Sequence, residues 1–513
     1  MAKKREDREG RKKKTGDGTT GDGTCDLDNG FISPVLSLRN FKPVKTLLLH
    51  SRYTQILISL TIVGLFLRFY NLGFNSLWLD EASTYTFASM SIPGIWQATM
   101  SGEFNPPLFY WIEHLMLTLG NNEVILRFVP ALLGVLTIPL IYFVGKEFVD
   151  RNVGIIAAAA CAFSPFLIYY SQEARAYSLG LFFVAFAMFF FLKALKTNET
   201  RSWALFGVLS ALAFWSHFYT LVIIGAMGLY ALAVKIPEFR HDIRTIKPLV
   251  AAGAVFAIIC LPLIIVTIQL FAKRTASAPT FGIQGIDIVP ETFRELSGFS
   301  TIAMYLLLLL FAVGIVQAFL LDRKKGIFLL ALTLLPFAIS WILSYRIPMV
   351  PRYLIVFAPV FFVGIALAYK PVFTVISNRG VVYGFIALMV LLSVTTPFFT
   401  SYYSQYSKED WRGFSGQIQN ITQPGDLLVL VPGYISQPFD YYYSNVTEGT
   451  FEYGASDAGQ LAAVTAQKTN NTVYYVVTGD ISSANPSGDA VKWLQEHTKQ
   501  VGETTGIYLF TSG

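Results

Sequence analysis

Two acids stand side by side, Asp80 and Glu81, within LGFNSLWLDEASTYTF, a stretch that begins at the end of the first long apolar run and leads on to SGEFNPPLFYW. Ionisable groups at a membrane surface are costly to keep, and they usually face a cavity or pathway where they do chemistry or transport. The loop is therefore expected to hold the active site. Adjacent side chains on a helix diverge by about 100°, so the two acids cannot aim at one atom. A plainer reading of Asp80 is that it N-caps a short helix beginning EASTYTFA.

The elements that must position this loop follow from composition. Of 513 residues, 53% are hydrophobic, 15% aromatic and only 14% charged. Soluble domains carry roughly a quarter charged residues, so most of this chain must be solvated by lipid and by other helices. Apolar runs near spanning length fall at residues 54–72, 126–145, 153–170, 176–195, 202–219, 220–236, 248–271, 301–321, 327–344, 353–369 and 381–399, which predicts about eleven helices. The first run lies too far from the start and is too long for a cleaved signal peptide, and it reads as a signal anchor.

Basic residues cluster in alternate connections: Lys146 and Arg151; Lys196 and Arg201; Lys235, Arg240, Arg244 and Lys247; Arg323, Lys324 and Lys325; Lys370 and Arg379. Positive loops stay in the cytoplasm. That leaves four segments outside: the acid-pair loop and residues 172–175, 272–300 and 345–352. The net charge of +6 gives no case for a nucleic-acid partner, because much of the basic excess sits in the N-terminal KKREDREGRKKK and in short loops that orient helices.

Domain organisation follows the same shifts. Residues 1–50 read as a basic, disordered cytoplasmic tail, 51–400 as an all-α polytopic membrane domain with its first outer loop at 73–125, and 401–513 as a small extracytoplasmic α/β domain. In the last, DLLVLVP, TVYYVVTG and GIYLFTS look like strands, and WRGFSGQIQNI and AVKWLQEHTKQ like helices. Asn420, Asn445 and Asn470 each open an N-x-Thr triplet there, usable only in a host that N-glycosylates; Asn198 fits too but lies on the inner side. Cys25, Cys161 and Cys260 make neither a disulfide framework nor a thiolate metal site.

In order along the chain, LWLDEAS, NPPLFYW, RFVPALLGVLTIPLIYFVGKEF, SPFLIYYSQEARAYSL and RYLIVFAPVF resemble the C-type membrane glycosyltransferases that use polyprenyl-phosphate sugars. That group includes protein O-mannosyltransferases, lipid A aminoarabinose transferases and galacturonosyltransferases of lipopolysaccharide cores. The likeness covers about residues 55–400 and is strongest over 68–190. It implies inverting, single-displacement transfer of a sugar from a lipid phosphate to a hydroxyl of a glycan, lipid or protein on the outer face.

On that resemblance Asp80 is the general base, Glu81 supports it, and Glu173 is the second acid, with Arg175 two residues on. A carboxylate near the acceptor hydroxyl can take its proton. The leaving phosphate needs cations more than an acid, because charge grows on it in the transition state. Arg175, Arg352, Arg127 and Arg346 are the candidates, with snorkelling to headgroups as the competing explanation for the last three. Glu173 and Arg175, spaced by two, face different sides of a helix and suit separate jobs, although an orienting ion pair is the alternative. Asn105 stands where the aminoarabinose transferases have a lysine, which removes one phosphate or sugar ligand. Pro106 and Pro107 should start a surface helix whose Glu113 and His114 read as interfacial. His217 and Tyr219 are candidate substrate contacts, or aromatic-belt residues.

Five scattered histidines define no metal cluster, so no cofactor is assigned; a divalent ion shared by Asp80 or Glu173 with the donor phosphate stays open. A flippase for lipid-linked sugars is the alternative class. Transporters, however, place charges near the midplane in paired interrupted helices, and here the charges gather outside with no repeat.

Overall fold

The computed structural model describes residues 51–443, 450–467 and 471–512; the N-terminal tail with Thr15 and Cys25, and the triplet asparagines 445 and 470, lie outside them. Among the described residues eight helices are long and apolar enough to cross a membrane, nine if a bent pair counts as one span. Every predicted run is helical, but the expected count of eleven is not reached. Thr200–Ser216 has 17 residues and Gly380–Val394 has 15, short of a full span.

The bent pair is Arg151–Phe163 followed by Pro165–Ser171, turned by 58°. Proline at the first position of the second piece cannot donate to the preceding turn, and Ser164 accepts from Leu167 N to cap the new start. The carbonyls freed at the break are claimed by Arg68, at the end of the first helix Arg52–Phe69: its guanidinium donates to Cys161 O at 2.9 Å and Ala162 O at 3.0 Å. Gln172 then clamps the exit, donating to Arg68 O and Tyr70 O at 3.1 and 2.9 Å. Neighbouring helices touch backbone to backbone where glycines allow it. A Cβ on Gly145 would meet the Cα of Gly154 at 2.8 Å, which locks Glu123–Phe148 against Arg151–Phe163.

The C-terminal part is a five-stranded sheet of order β2-β1-β3-β5-β4, with β1 Leu427–Val431, β2 Phe451–Gly454, β3 Val473–Thr478, β4 Thr498–Thr504 and β5 Ile507–Ser512. β1 runs parallel to both β2 and β3, and β5 returns antiparallel. LLVLV is buried on both faces, as a central parallel strand must be. Val429, Val431 and Tyr475 pack under Leu461 and Leu494, while Leu428, Leu430 and Val476 pack on Trp411 and Phe439. The strands β2 and β4 were not foreseen. Both are edge strands and largely exposed, and the end of the predicted helix AVKWLQEHTKQ enters β4 instead.

This unit is fastened to the first outer loop. Tyr442 OH accepts from Leu77 N at 2.8 Å and donates to Glu123 at 2.6 Å, Arg412 donates to Glu123 and to Gly73 O, and Ser76 donates to Asp410 at 3.1 Å.

Candidate active site

The first outer loop folds into short helices, and the one that carries the acid pair is Leu79–Ala88. Its N-cap is Trp78, so Asp80 lies inside the first turn and the capping alternative is set aside. The two acids do diverge. Asp80 keeps a 26% exposed side chain that meets Arg352 Nη2 at 3.5 Å and Arg175 Nε at 4.0 Å. Among the described residues its carboxylate accepts no hydrogen bond, which leaves its lone pairs available.

Each arginine is held by something other than that carboxylate. Arg175 Nη1 donates to Asp80 O at 2.9 Å, and to Thr84 Oγ1 at 3.4 Å. Arg352 Nε donates to Tyr177 OH at 3.1 Å, and its guanidinium lies over the rings of Trp78 and Tyr353 at 5.6 and 5.9 Å. The Nη1 group of Arg352 remains unbonded among the described residues and can reach a ligand.

Glu81 points the other way into a closed network. Arg127 grips it through Nε and Nη2, each at 2.7 Å, Ala174 N donates to it at 2.8 Å, and Lys408 Nζ lies 3.0 Å away. The other donors of Arg127 go to the carbonyls of Leu72, Asn75 and Ser76, so all five are used. Arg127 therefore has no N–H left for a phosphate, which corrects that expectation. Burial alone would raise the Glu81 carboxyl, but the charges of Arg127 and Lys408 overcome it and hold the group well below its ordinary value. Nor can Glu81, with side-chain exposure of 0%, touch substrate; its part is to anchor the loop.

Lys408 also lies 3.3 Å from Glu173 Oε1, a contact of charges without hydrogen-bond geometry, since both Glu173 oxygens are buried with no hydrogen-bond partner. Burial raises the Glu173 carboxyl and Lys408 pulls it down; the net is upward. Glu173 and Arg175 thus face different partners, one Lys408 and the other Asp80. Sequence reading missed Lys408, since SKEDWRG is an ordinary polar stretch. It also missed Glu295, on the short helix Ile288–Leu296, whose carboxyl is pushed to about 7 by burial and by Glu291.

Beside the arginines opens an apolar cavity of about 330 Å³, lined by Asn105, His217, Tyr219, Arg274 and Tyr353 at its polar end and by Leu221, Phe271 and Leu343 farther in. Burial, with Arg175 and Arg352 close by, lowers His217 to about 3, so its imidazole is neutral. Tyr219 stacks on Tyr353 at 4.6 Å and donates to Pro348 O. Asn105 donates to Glu103 at 3.3 Å. Arg274, not singled out beforehand, fixes the rim by donating to Gly102 O and Glu103 O and by covering the ring of Phe104 at 4.5 Å. Arg346 is exposed and makes no side-chain bond among the described residues, apart from the cluster. Glu113 and His114 do not line the cavity; His114 Nδ1 lies 2.7 Å from Ala88 O, and burial raises the Glu113 carboxyl well above its usual range. The described residues contain no group of three or more His, Cys, Asp or Glu that could hold a metal.

Comparison with known proteins bears on the fold. An oligosaccharyltransferase of Archaeoglobus fulgidus, solved with zinc and sulfate, superposes with a TM-score of 0.55 at 16% identity over 89% of this chain and 72% of its own. ArnT from Cupriavidus metallidurans, bound to undecaprenyl phosphate, superposes with a TM-score of 0.53 at 12% identity over 90% of this chain and 98% of its own. This is the fold of the C-type membrane glycosyltransferases. Residues 105–266 match the family model described as dolichyl-phosphate-mannose-protein mannosyltransferase. An uncharacterized protein of Aquifex aeolicus is 30% identical over 139 residues, 24% of this chain, which spans about a quarter (27%) of that relative's length.

Proposed function

We propose that the protein is a membrane glycosyltransferase that moves a sugar from a polyprenyl phosphate to an acceptor hydroxyl with inversion at the anomeric carbon. The observation that carries this reading is Asp80: an open carboxylate, free of hydrogen bonds among the described residues, facing two arginines, one of which lies over Tyr353 at the polar end of an apolar cavity. The cavity suits the first isoprene units of the donor, with its phosphate at Arg352 and Arg175. Asp80 takes the acceptor proton as the oxygen attacks C1, the C1–O bond to phosphate breaks, and the electron pair leaves with the phosphate, whose growing charge the arginines meet. Neutral His217 offers the phosphate a hydrogen-bond donor without becoming an acid.

The positive-inside pattern supports an outer-face site, with the N-terminus cytoplasmic. The test is transfer in lipid nanodiscs from a synthetic polyprenyl-phosphate sugar. Asp80→Asn should abolish transfer and leave donor binding intact; full turnover by that variant removes Asp80 from the reaction. Product of retained anomeric configuration would overturn single displacement.

A further inference from the structure

Arg352 sits on the short turn Pro351–Phe357, and three groups hold its guanidinium. Trp78 and Tyr353 offer ring faces at 5.6 and 5.9 Å, and Tyr177 accepts from Nε at 3.1 Å. These contacts differ in kind. A ring face attracts a cation through its quadrupole and restrains how the flat group tilts, but it sets no direction within the plane of that group. A hydrogen bond does, because it weakens steeply once the N–H swings away from its acceptor. The approach of Nη2 to Asp80, at 3.5 Å, is a contact of charges and not a hydrogen bond. Aiming the guanidinium within its plane therefore falls to the Tyr177 hydroxyl.

The tyrosine is itself well fixed. It is the first residue of helix Tyr177–Thr197 and 2% exposed, with its ring against Tyr170 at 5.3 Å and His217 at 5.5 Å. It follows Arg175 by two residues, so the segment Glu173–Tyr177 sets both arginines, Arg175 directly and Arg352 through a hydroxyl. With Nε spent on Tyr177, the outer edge of the guanidinium, Nη1 and Nη2, is the edge left for a ligand.

Resting on the transfer reading above, we infer that Tyr177 is a positioning residue: its hydroxyl holds Nε of Arg352 so that Nη1 and Nη2 meet the donor phosphate as a two-pronged fork. Such a fork is what distinguishes arginine from lysine at a phosphate. Tyr177 does not line the apolar cavity, and it acts only through Arg352.

The test is a double-substitution cycle on the full-length protein in nanodiscs, read as affinity for undecaprenyl phosphate, which needs no turnover. Tyr177→Phe removes one oxygen and keeps the ring contacts, so it should fold, and its affinity should fall about tenfold. In the Arg352→Lys background, which has no Nε–H to hold, the same change should do nothing further. A tenfold loss in both backgrounds would make Tyr177 a structural residue independent of Arg352, and no loss in either would remove it from the site. Wild-type affinity in Arg352→Lys would also overturn the inference, because no fork is then in use. Sugar transfer by the wild type, measured alongside, keeps the two readings apart: it tests the reaction, and the cycle tests the fork.

Discussion

Lys408 Nζ lies 3.0 Å from Glu81 Oε2, so a residue that follows the whole membrane bundle completes the charge balance of a loop that follows its first helix. The side chains are 5% and 0% exposed, which makes this a buried pair with little screening.

Removing the ammonium leaves a buried carboxylate short of its cation. Lys408→Met should lower stability by about 3 kcal/mol or more, seen as a fall in the melting temperature of the detergent-solubilised protein. Adding Glu173→Gln should recover part of the loss, because the second acid then needs no counter-charge.

Arg127→Lys keeps the charge but cannot make five bonds. It should cost about 2–3 kcal/mol from the lost charged hydrogen bonds, while the donor KM of the folded fraction stays at the wild-type value. A selective rise in donor KM would put Arg127 back among the phosphate ligands.

For Arg352 the order is reversed. Arg352→Ala should impair donor use more than acceptor use, and Arg352→Lys should restore it only in part, a gap of about 1–2 kcal/mol or roughly tenfold in rate from the lost two-donor fork. Equal donor kinetics in all three forms would mean that the side chain binds no phosphate.

Glu295 sets a pH dependence. Its carboxyl is raised from 4.5 to about 7, so its contribution to stability is full below about 4.5 and is lost as pH rises through 7. Glu295→Gln should therefore gain on the wild type between pH 5 and 8, as read by melting temperature; a constant difference across that range would contradict the shift.

Topology can be read with thiols. Cys161 and Cys260 are buried, and Cys25 lies in the tail. In intact cells an impermeant maleimide should leave the native chain unlabelled and label Ala463→Cys, an exposed site in the C-terminal domain. The opposite pattern would invert the orientation and move the site to the cytoplasmic face.

Much of the site was legible because its residues are local. The divergence of Asp80 from Glu81 follows from helix geometry, and the separate partners of Glu173 and Arg175 from their spacing. Lys408, Glu295 and Arg274 were not legible, because their partners are far off in sequence: Lys408 and Glu81 are 327 residues apart. Arg127 was misread for the same reason; a basic residue at a helix start looks alike whether it faces phosphate or a buried acid. Hydropathy located the long apolar helices but could not tell a 15- or 17-residue helix from a full span. It also missed β2, an exposed edge strand of only four residues.

The seam at Lys408 bears on how such proteins can be recombined. A chimera that joins this bundle to the outer domain of a relative at the end of the last membrane helix would discard Lys408 with Asp410 and Arg412, and take a cation from each of three acids in the half that was kept, Glu81, Glu173 and Glu123. Inheritance, natural or engineered, must then move the first outer loop and the segment after residue 397 together, as one unit split across the chain.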